Sequence, residues 1–336
     1  MDSPYTLLEY SLLNDWQRDF PIVALPFAEL GARVGAGDTA VLGTLRRLQA
    51  RGAISRVGAV LAPRRVGAST LAALAAPADR LERIAAQVSA RPEVNHNYQR
   101  EHRYNLWFVA TAADRATLVA ALAAIERETG CAVISLPLEN EYHIDLGFDL
   151  GSAHKHHAER PGTPAREPEA AEKALIAALQ PGLELVPRPF ARLGARVGMS
   201  EAEVLSRIAG WIDEGLIRRF GVVVRHHELG YKANAMVVFD VPDDDVDRIG
   251  RQLAREPGVT LCYRRRRSLP EWPFNLYCMV HGRSREEAEP AIARLGRLAG
   301  LPAEVLFSTR RFKQCGARYF ADLPVAPARA VESSAA

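Results

Sequence analysis

Pro26–Gly35 reads PFAELGARVG and Pro189–Gly198 reads PFARLGARVG, nine of ten positions agreeing at an offset of 163 residues. The agreement runs on. Gly52–Gly58 (GAISRVG) matches Gly215–Gly221 (GLIRRFG) at the same offset. Arg91–Val94 (RPEV) matches Glu256–Val259 (EPGV) at 165, and Asn105–Trp107 (NLW) matches Asn275–Tyr277 (NLY) at 170. An offset that drifts slowly means small loop insertions inside one repeated fold, so the 336 residues read as two homologous halves.

Each half divides again. Ala28–Gly52 carries a helix–turn–helix pattern: a short helix, a Gly-containing turn at Gly35–Gly37, and a second helix with apolar Val41, Leu42, Leu45 and Leu48. Asp38 or Thr39 can cap that second helix, and Gly52 stops it. Ile54–Leu61 then alternates like a strand and forms a wing. In the second half Ser200 with Glu203 makes a capping box, Gly215 is the stop and Leu216–Val224 the wing. After each wing the pattern reads β-α-β-β-α-β, with strands expected at 69–75, 94–102, 104–112 and 132–143 and helices at 79–90 and 115–130. The second half repeats it at 233–241, 244–256, 259–267, 274–281, 285–299 and 303–312.

The expected fold is therefore α+β: two tandem copies of a winged helix–turn–helix plus a ferredoxin-like domain. The boundaries read as 5–62 and 63–150, a linker at 151–170 rich in His, Pro and Gly, then 171–226 and 227–322, and a disordered tail at 323–336. Helices cover one face of each sheet, so the other needs a partner. The two halves supply it as an intramolecular pseudo-dimer, with a homo-oligomer left open.

Composition narrows the function. Lys and Arg total 43 against 40 Asp and Glu, a net charge of +3 that does not demand nucleic acid as partner. No apolar run is long enough to span a membrane, and Met1–Asp15 lacks the basic segment of a secretory signal. Cys131, Cys262, Cys278 and Cys315 stand apart with no CxxC, which excludes a zinc ribbon or cysteine-ligated cluster and fits a reducing cytoplasm. The second helices offer Thr39, Thr44, Arg46 and Arg47 in one half but Glu201, Glu203, Ser206 and Arg207 in the other. Carboxylates facing phosphate, in two unlike readers, argue against DNA as partner.

Two segments stand out. VNHNYQREHRYNLWFVAT covers Val94–Thr111, and VTLCYRRRRSLPEWPFNLYCMVHG covers Val259–Gly282. The overall layout resembles the Lrp/AsnC regulators, and these two segments resemble the two different subunits of siroheme decarboxylases, here in one chain. The resemblance covers nearly all of both halves. It implies a lyase that takes two acetate carboxyls from siroheme, giving 12,18-didecarboxysiroheme on the way to d1-type haem or haem. It implies no cofactor beyond the iron tetrapyrrole itself.

The residues carry part of that reading alone. Strand alternation puts Val94, His96, Tyr98, Arg100 and His102 on one face, an odd set for plain core packing. Four consecutive arginines, Arg264–Arg267, are equally odd for a strand. A polyanion would account for both, since guanidinium pairs bidentately with carboxylate. Histidine is the natural proton donor for the carbon left after loss of CO2. His96 and His102 are thus the expected acid–base pair. Tyr98, Arg100, Tyr104, Trp107, Arg264, Arg265, Arg267 and Trp272 are the expected substrate-binding groups.

Plain alternatives exist for each: surface histidines in a solvated hairpin, a basic edge that deters aggregation, tryptophans of the core. His154, His156 and His157 read as linker residues, His226 and His227 as loop, and Cys262 and Cys278 as small core neighbours across a hairpin. Because His96 and His102 align with Leu261 and Arg267, one competent site is expected, with half-one histidines and half-two arginines. The rival function is an Lrp-type regulator sensing haem or siroheme. A third reading is a tetrapyrrole carrier.

Overall fold

The computed structural model describes residues 5–62, 65–144, 168–225 and 233–320. The expected linker, apart from its last residues, the tail, and His154, His156, His157, His226 and His227 lie outside them. The chain divides into two units, each built from both halves: a winged-helix unit and a sheet unit spanning residues 67–146 and 226–319.

In the winged-helix unit the first copy runs α1 (Leu7–Asn14), α2 (Pro26–Val34), α3 (Asp38–Ala50) and β1 (Ile54–Leu61). The repeated decamer explains α2. Pro26 starts the helix, Phe27 and Leu30 are buried, and Gly35 closes it in the left-handed region at φ 68°. Gly31 is required because a Cβ there would meet the Ala36 carbonyl oxygen at 2.4 Å, where the chain turns into α3.

A helix precedes the expected motif in each copy. Thr6 and Glu9 form a capping box on α1, and Glu169 with Glu172 does the same for Ala170–Leu179. The second of these helices starts at Ala170, the last residue of the expected linker, with Glu169 as its N-cap. The two wings, β1 and β6 (Ile217–Val224), pair antiparallel with Gly58 opposite Gly221.

The sheet unit holds β2 (Ala68–Leu74), β3 (Val94–Arg100), β4 (Leu106–Ala112) and β5 (Val133–Ile144) from half one. Half two contributes β7 (Ala233–Phe239), β8 (Val259–Arg265), β9 (Leu276–Gly282) and β10 (Ala303–Gln314). Together they close into one barrel in the order β10-β3-β4-β2-β5-β8-β9-β7. The closure rests on the two 12-residue strands. β5 pairs with β2 through Val133–Pro137 and then with β8 through Leu138–Ile144. β10 pairs with β7 through Ala303–Phe307 and with β3 through Ser308–Gln314. The halves are therefore stitched edge to edge, which removes exposed strand edges.

Each half keeps a helix-facing core: Ile84, Val88, Leu106 and Phe108 in half one, Ile249, Leu253, Leu276 and Leu295 in half two. The inner face is shared by both halves, with Leu71, Tyr104, Trp107, Leu136, Met236, Tyr263, Trp272, Tyr277 and Leu306.

Cys262 and Cys278 are cross-strand neighbours in the half-two helix-facing core, their sulfurs 3.6 Å apart, in line with the small-core reading.

Candidate functional site

The expected face of β3 needs one correction. Pairing with β4 slips between Val94 and His96, a β-bulge that inserts Asn95. Val94 therefore packs in the helix-facing core together with Asn97, whose amide donates to the Ala85 carbonyl and the Ser89 hydroxyl. His96, Tyr98 and Arg100 share the opposite, inner face. β8 repeats the bulge between Val259 and Leu261, so Leu261, Tyr263 and Arg265 are their counterparts. The strand ends at Arg100, and His102 lies in the hairpin beyond it.

Arg100 is buried and finds only neutral acceptors. It donates to the Leu306 carbonyl at 2.8 Å and to the Asn234 carbonyl and side-chain oxygen, both at 3.4 Å. Among the described residues it has no ion pair. Burial pulls its pKa down to about 10, against the opposing pull of the Tyr263 and Tyr98 phenols. Arg265 is the same design in half two. It donates to the Leu136 carbonyl at 2.8 Å, lies over Tyr263 at 4.6 Å and Tyr277 at 6.0 Å, and its Nε has no hydrogen-bond partner among the described residues. Two guanidinium groups thus stand by Tyr263 with no ion pair among the described residues, an arrangement that favours an incoming anion.

Around this pair the two halves differ. In half one, His96 stands edge-on to Tyr98, ring centroids 6.1 Å apart, and Arg311 of β10 lies opposite Tyr98. Burial pushes the Tyr98 phenol up, and Arg100 and Arg311 pull it back. In half two, Leu261 replaces His96 and Glu141 of β5 stands opposite Tyr263. Arg311 and Asn234 escaped sequence analysis. The run Arg310–Lys313 hinted at the first; nothing flagged the second.

At the hairpin end of the barrel, His102 joins an aromatic group from both halves. It lies nearly parallel to Tyr104 at 6.0 Å and meets Trp272 edge-on at 5.4 Å. Trp107 meets Trp272 at 5.0 Å and Phe274 meets it at 4.9 Å. Trp272 is supplied by the longer β8–β9 hairpin and anchored by its indole N–H to the Tyr277 hydroxyl at 2.7 Å. Both ring nitrogens of His102 are engaged. Nδ1 accepts from the Tyr104 backbone N–H at 2.9 Å, so the ring proton sits on Nε2, 2.9 Å from the Glu304 carboxylate. His96 and His102 are not adjacent: His96 to Arg100 alone spans roughly 13 Å of strand.

Arg264 and Arg267 do not join this face. Arg264 forms ion pairs with Glu139 and Asp243, both at 3.0 Å. Arg267 pairs with Asp240 and Asp243 at 2.8 Å each and donates to the Val241 and Pro273 carbonyls. The expectation that they line the site is corrected: alternation turns Arg264 away from Tyr263 and Arg265, and the aspartates after β7 claim both. Polar groups of the helix–turn–helix copies are similarly tied up. Arg46 donates to the Leu185 carbonyl, Arg207 pairs with buried Glu172, and Glu201 pairs with Arg188. Among the described residues no helix is long and apolar enough to cross a membrane, and no cluster of three or more His, Cys, Asp or Glu could hold a metal.

A closed barrel of two ferredoxin-like halves joined to winged helices defines the class: a ligand-binding protein of the Lrp/AsnC type. Family models agree. Residues 65–143 and 228–313 match the AsnC-like ligand binding domain, and 9–54 and 172–218 match the siroheme decarboxylase NirDL-like HTH domain. A siroheme decarboxylase NirDL subunit of Paracoccus denitrificans is 48% identical over 315 residues, covering 92% of this chain and 96% of that one. The crystal structure of the siroheme decarboxylase NirDL matches with TM-score 0.70 at 28% identity, over 93% of this chain and 94% of that chain. The same enzyme in co-complex with an iron-uroporphyrin III analogue matches with TM-score 0.69 at 28% identity, over 93% of each chain. The chain belongs to the siroheme decarboxylase family of carboxy-lyases.

Proposed function

We propose that this chain decarboxylates siroheme at two ring acetates, giving 12,18-didecarboxysiroheme for d1-type haem or haem synthesis. The observation that carries the reading is the inner barrel face. Arg100 and Arg265 are held there with no ion pair among the described residues, on the barrel face that also carries His96 and Tyr98. Such groups suit a flat polyanion bearing acetates and propionates. Trp107, Tyr104 and Trp272 supply apolar wall at the hairpin end.

In each turnover the bond between the acetate methylene and its carboxyl breaks and CO2 leaves. The electron pair is taken up by the pyrrole-type ring system. A proton then reaches the methylene carbon to make the methyl group. No net oxidation occurs, so no cofactor is needed beyond the substrate's own iron. His96 is the proton donor in this scheme. His102, with its single ring proton on Nε2, serves as a hydrogen-bond donor to a substrate carboxylate. Arg264 and Arg267 act indirectly, by holding the segment after β7. We assign the enzyme to the cytoplasm on its scattered cysteines, and a homo-oligomer is compatible with the intramolecular barrel.

Anaerobic incubation of siroheme with the pure protein, followed by mass spectrometry, tests this. Loss of two carboxyl masses is expected. Siroheme bound but returned unchanged would leave a carrier, and a salt-sensitive shift of promoter DNA would restore the regulator reading.

A further inference from the structure

The pair formed by His102 and Glu304 has no counterpart in the other half. Matching registers set Arg267 at the position of His102, and Ile134 at that of Glu304: Glu304 pairs with Val238 and Ile134 with Ala73. Each member comes from a different half, so the contact exists only because β10 crosses to close the barrel. A conserved packing need of the repeated fold would have produced it twice.

We propose that Glu304 is a positioning residue for the decarboxylation, fixing the direction of the His102 ring. The inference rests on the reading that His102 faces substrate. With Nδ1 capped by the Tyr104 backbone N–H, the imidazole has one proton, on Nε2, and the Glu304 carboxylate 2.9 Å away is its acceptor. The stacked Tyr104 and the edge-on Trp272 prevent tilting, and Glu304 prevents rotation in plane. The side chain of Glu304 is 41% exposed against 16% for His102, so it can yield as a substrate carboxylate arrives. Glu304 need touch no reacting atom. Its work is to deliver the ring already oriented, which lowers the cost of organising the site.

The test compares Glu304→Ala, Glu304→Gln and wild type. Single-turnover decarboxylation of siroheme is followed alongside equilibrium siroheme binding. Glu304→Ala should slow turnover by about 10- to 100-fold, the range for loss of one hydrogen bond to a charged group. Siroheme affinity should stay near wild type. Glu304→Gln, which keeps a side-chain oxygen acceptor, should recover most of the rate.

In parallel, nitrogen-15 NMR of histidine-labelled, substrate-free protein should report a pure Nε2–H tautomer for His102, identified by its loss in His102→Gln. In Glu304→Ala the tautomer should persist, because the Tyr104 N–H still holds Nδ1, while the Nε2–H proton should move upfield and exchange faster with water. Wild-type turnover in Glu304→Ala, or an unchanged Nε2–H resonance of His102 there, overturns the inference. Tighter siroheme binding by Glu304→Ala overturns it as well, because the carboxylate would then only be a competitor for the site. If wild type itself does not decarboxylate siroheme, the proposed function fails instead, and the Nε2–H measurement still judges the contact.

Discussion

Strands β3 and β8 descend from one sequence and occupy equivalent places in one barrel, yet they present different chemistry. Each carries a bulge, a tyrosine and an inward arginine, buried in β3 and half-buried in β8, whose guanidinium bonds a backbone carbonyl of the partner half's last strand. They differ one step to either side. β3 has His96 before the tyrosine and His102 after the arginine, and β10 sets Arg311 beside it. β8 has Leu261 and Arg267, and β5 sets Glu141 beside it. The shared features build the barrel and its anion-receptive centre. The unshared ones put both histidines in one half, and under the proposed function they would place proton chemistry on one side.

The sharpest way to break the comparison is at His96. His96→Ala should lower siroheme turnover by about 100- to 10,000-fold, the usual contribution of a general acid, with binding largely kept. Leu261→Ala should leave turnover near wild type. Equal losses in both variants, read by product mass in single-turnover incubations, would make the two strands functionally equivalent.

Trp272→Ala removes an indole that is 1% exposed and touches four aromatic rings. It should cost about 3–5 kcal/mol in denaturant unfolding. A loss within experimental error would mean that the longer half-two hairpin is not part of the inner core.

A third contrast concerns the arginines. Arg100→Met should weaken siroheme binding by about tenfold or more. Yet it should not lower the melting temperature of the ligand-free protein, because it removes a buried charge that lacks a counter-ion. Arg265→Met should be less favourable to stability, since its stacking over Tyr263 and Tyr277 is lost as well. A fall in melting temperature for Arg100→Met equal to that of a core truncation would contradict the reading of Arg100 as uncompensated.

The smallest effect is acid sensitivity at Asp243. The Arg267 guanidinium holds its carboxyl below the usual carboxylate range, helped by Arg264 and Asn275. A depressed folded-state pKa gives stabilisation that is fully present above the ordinary carboxylate range and is lost as pH falls from there through the lowered folded-state value. The group is exposed, so the effect should be slight. Asp243→Asn should flatten the acid limb of the melting-temperature profile by a small amount, and an unchanged limb would remove Asp243 from the account.

Much of this was legible beforehand because it depends on local chemistry. The decamer around Gly31 and Gly194 announces a tight turn between helices, and the structure explains both glycines by the backbone oxygens that a Cβ would strike. The capping boxes at Thr6 and Glu169 were readable in principle, yet α1 and its copy went unread because their apolar stretches are short. The bulge at Asn95 was not legible. Alternation alone would put Val94 beside His96, and only pairing with β4 decides otherwise. Arg264, Arg265 and Arg267 read alike as anion-binding groups, but of the three only Arg265 shares the inner face, since the identity of a residue does not say which carboxylate will reach it first.

Duplication, helix caps, turns and the alternating strands are properties of neighbouring residues, and the chain specified them by spacing and side-chain type. Which strand crosses to which half, and hence that Glu304 meets His102 and that Arg100 faces Asn234, was decided by barrel closure. Those partners lie 202 and 134 positions apart, and a contact over such a distance depends on the register of several strands together. No short stretch of sequence contains that register, because hydrogen bonding along β5 and β10 must be satisfied by both halves at once.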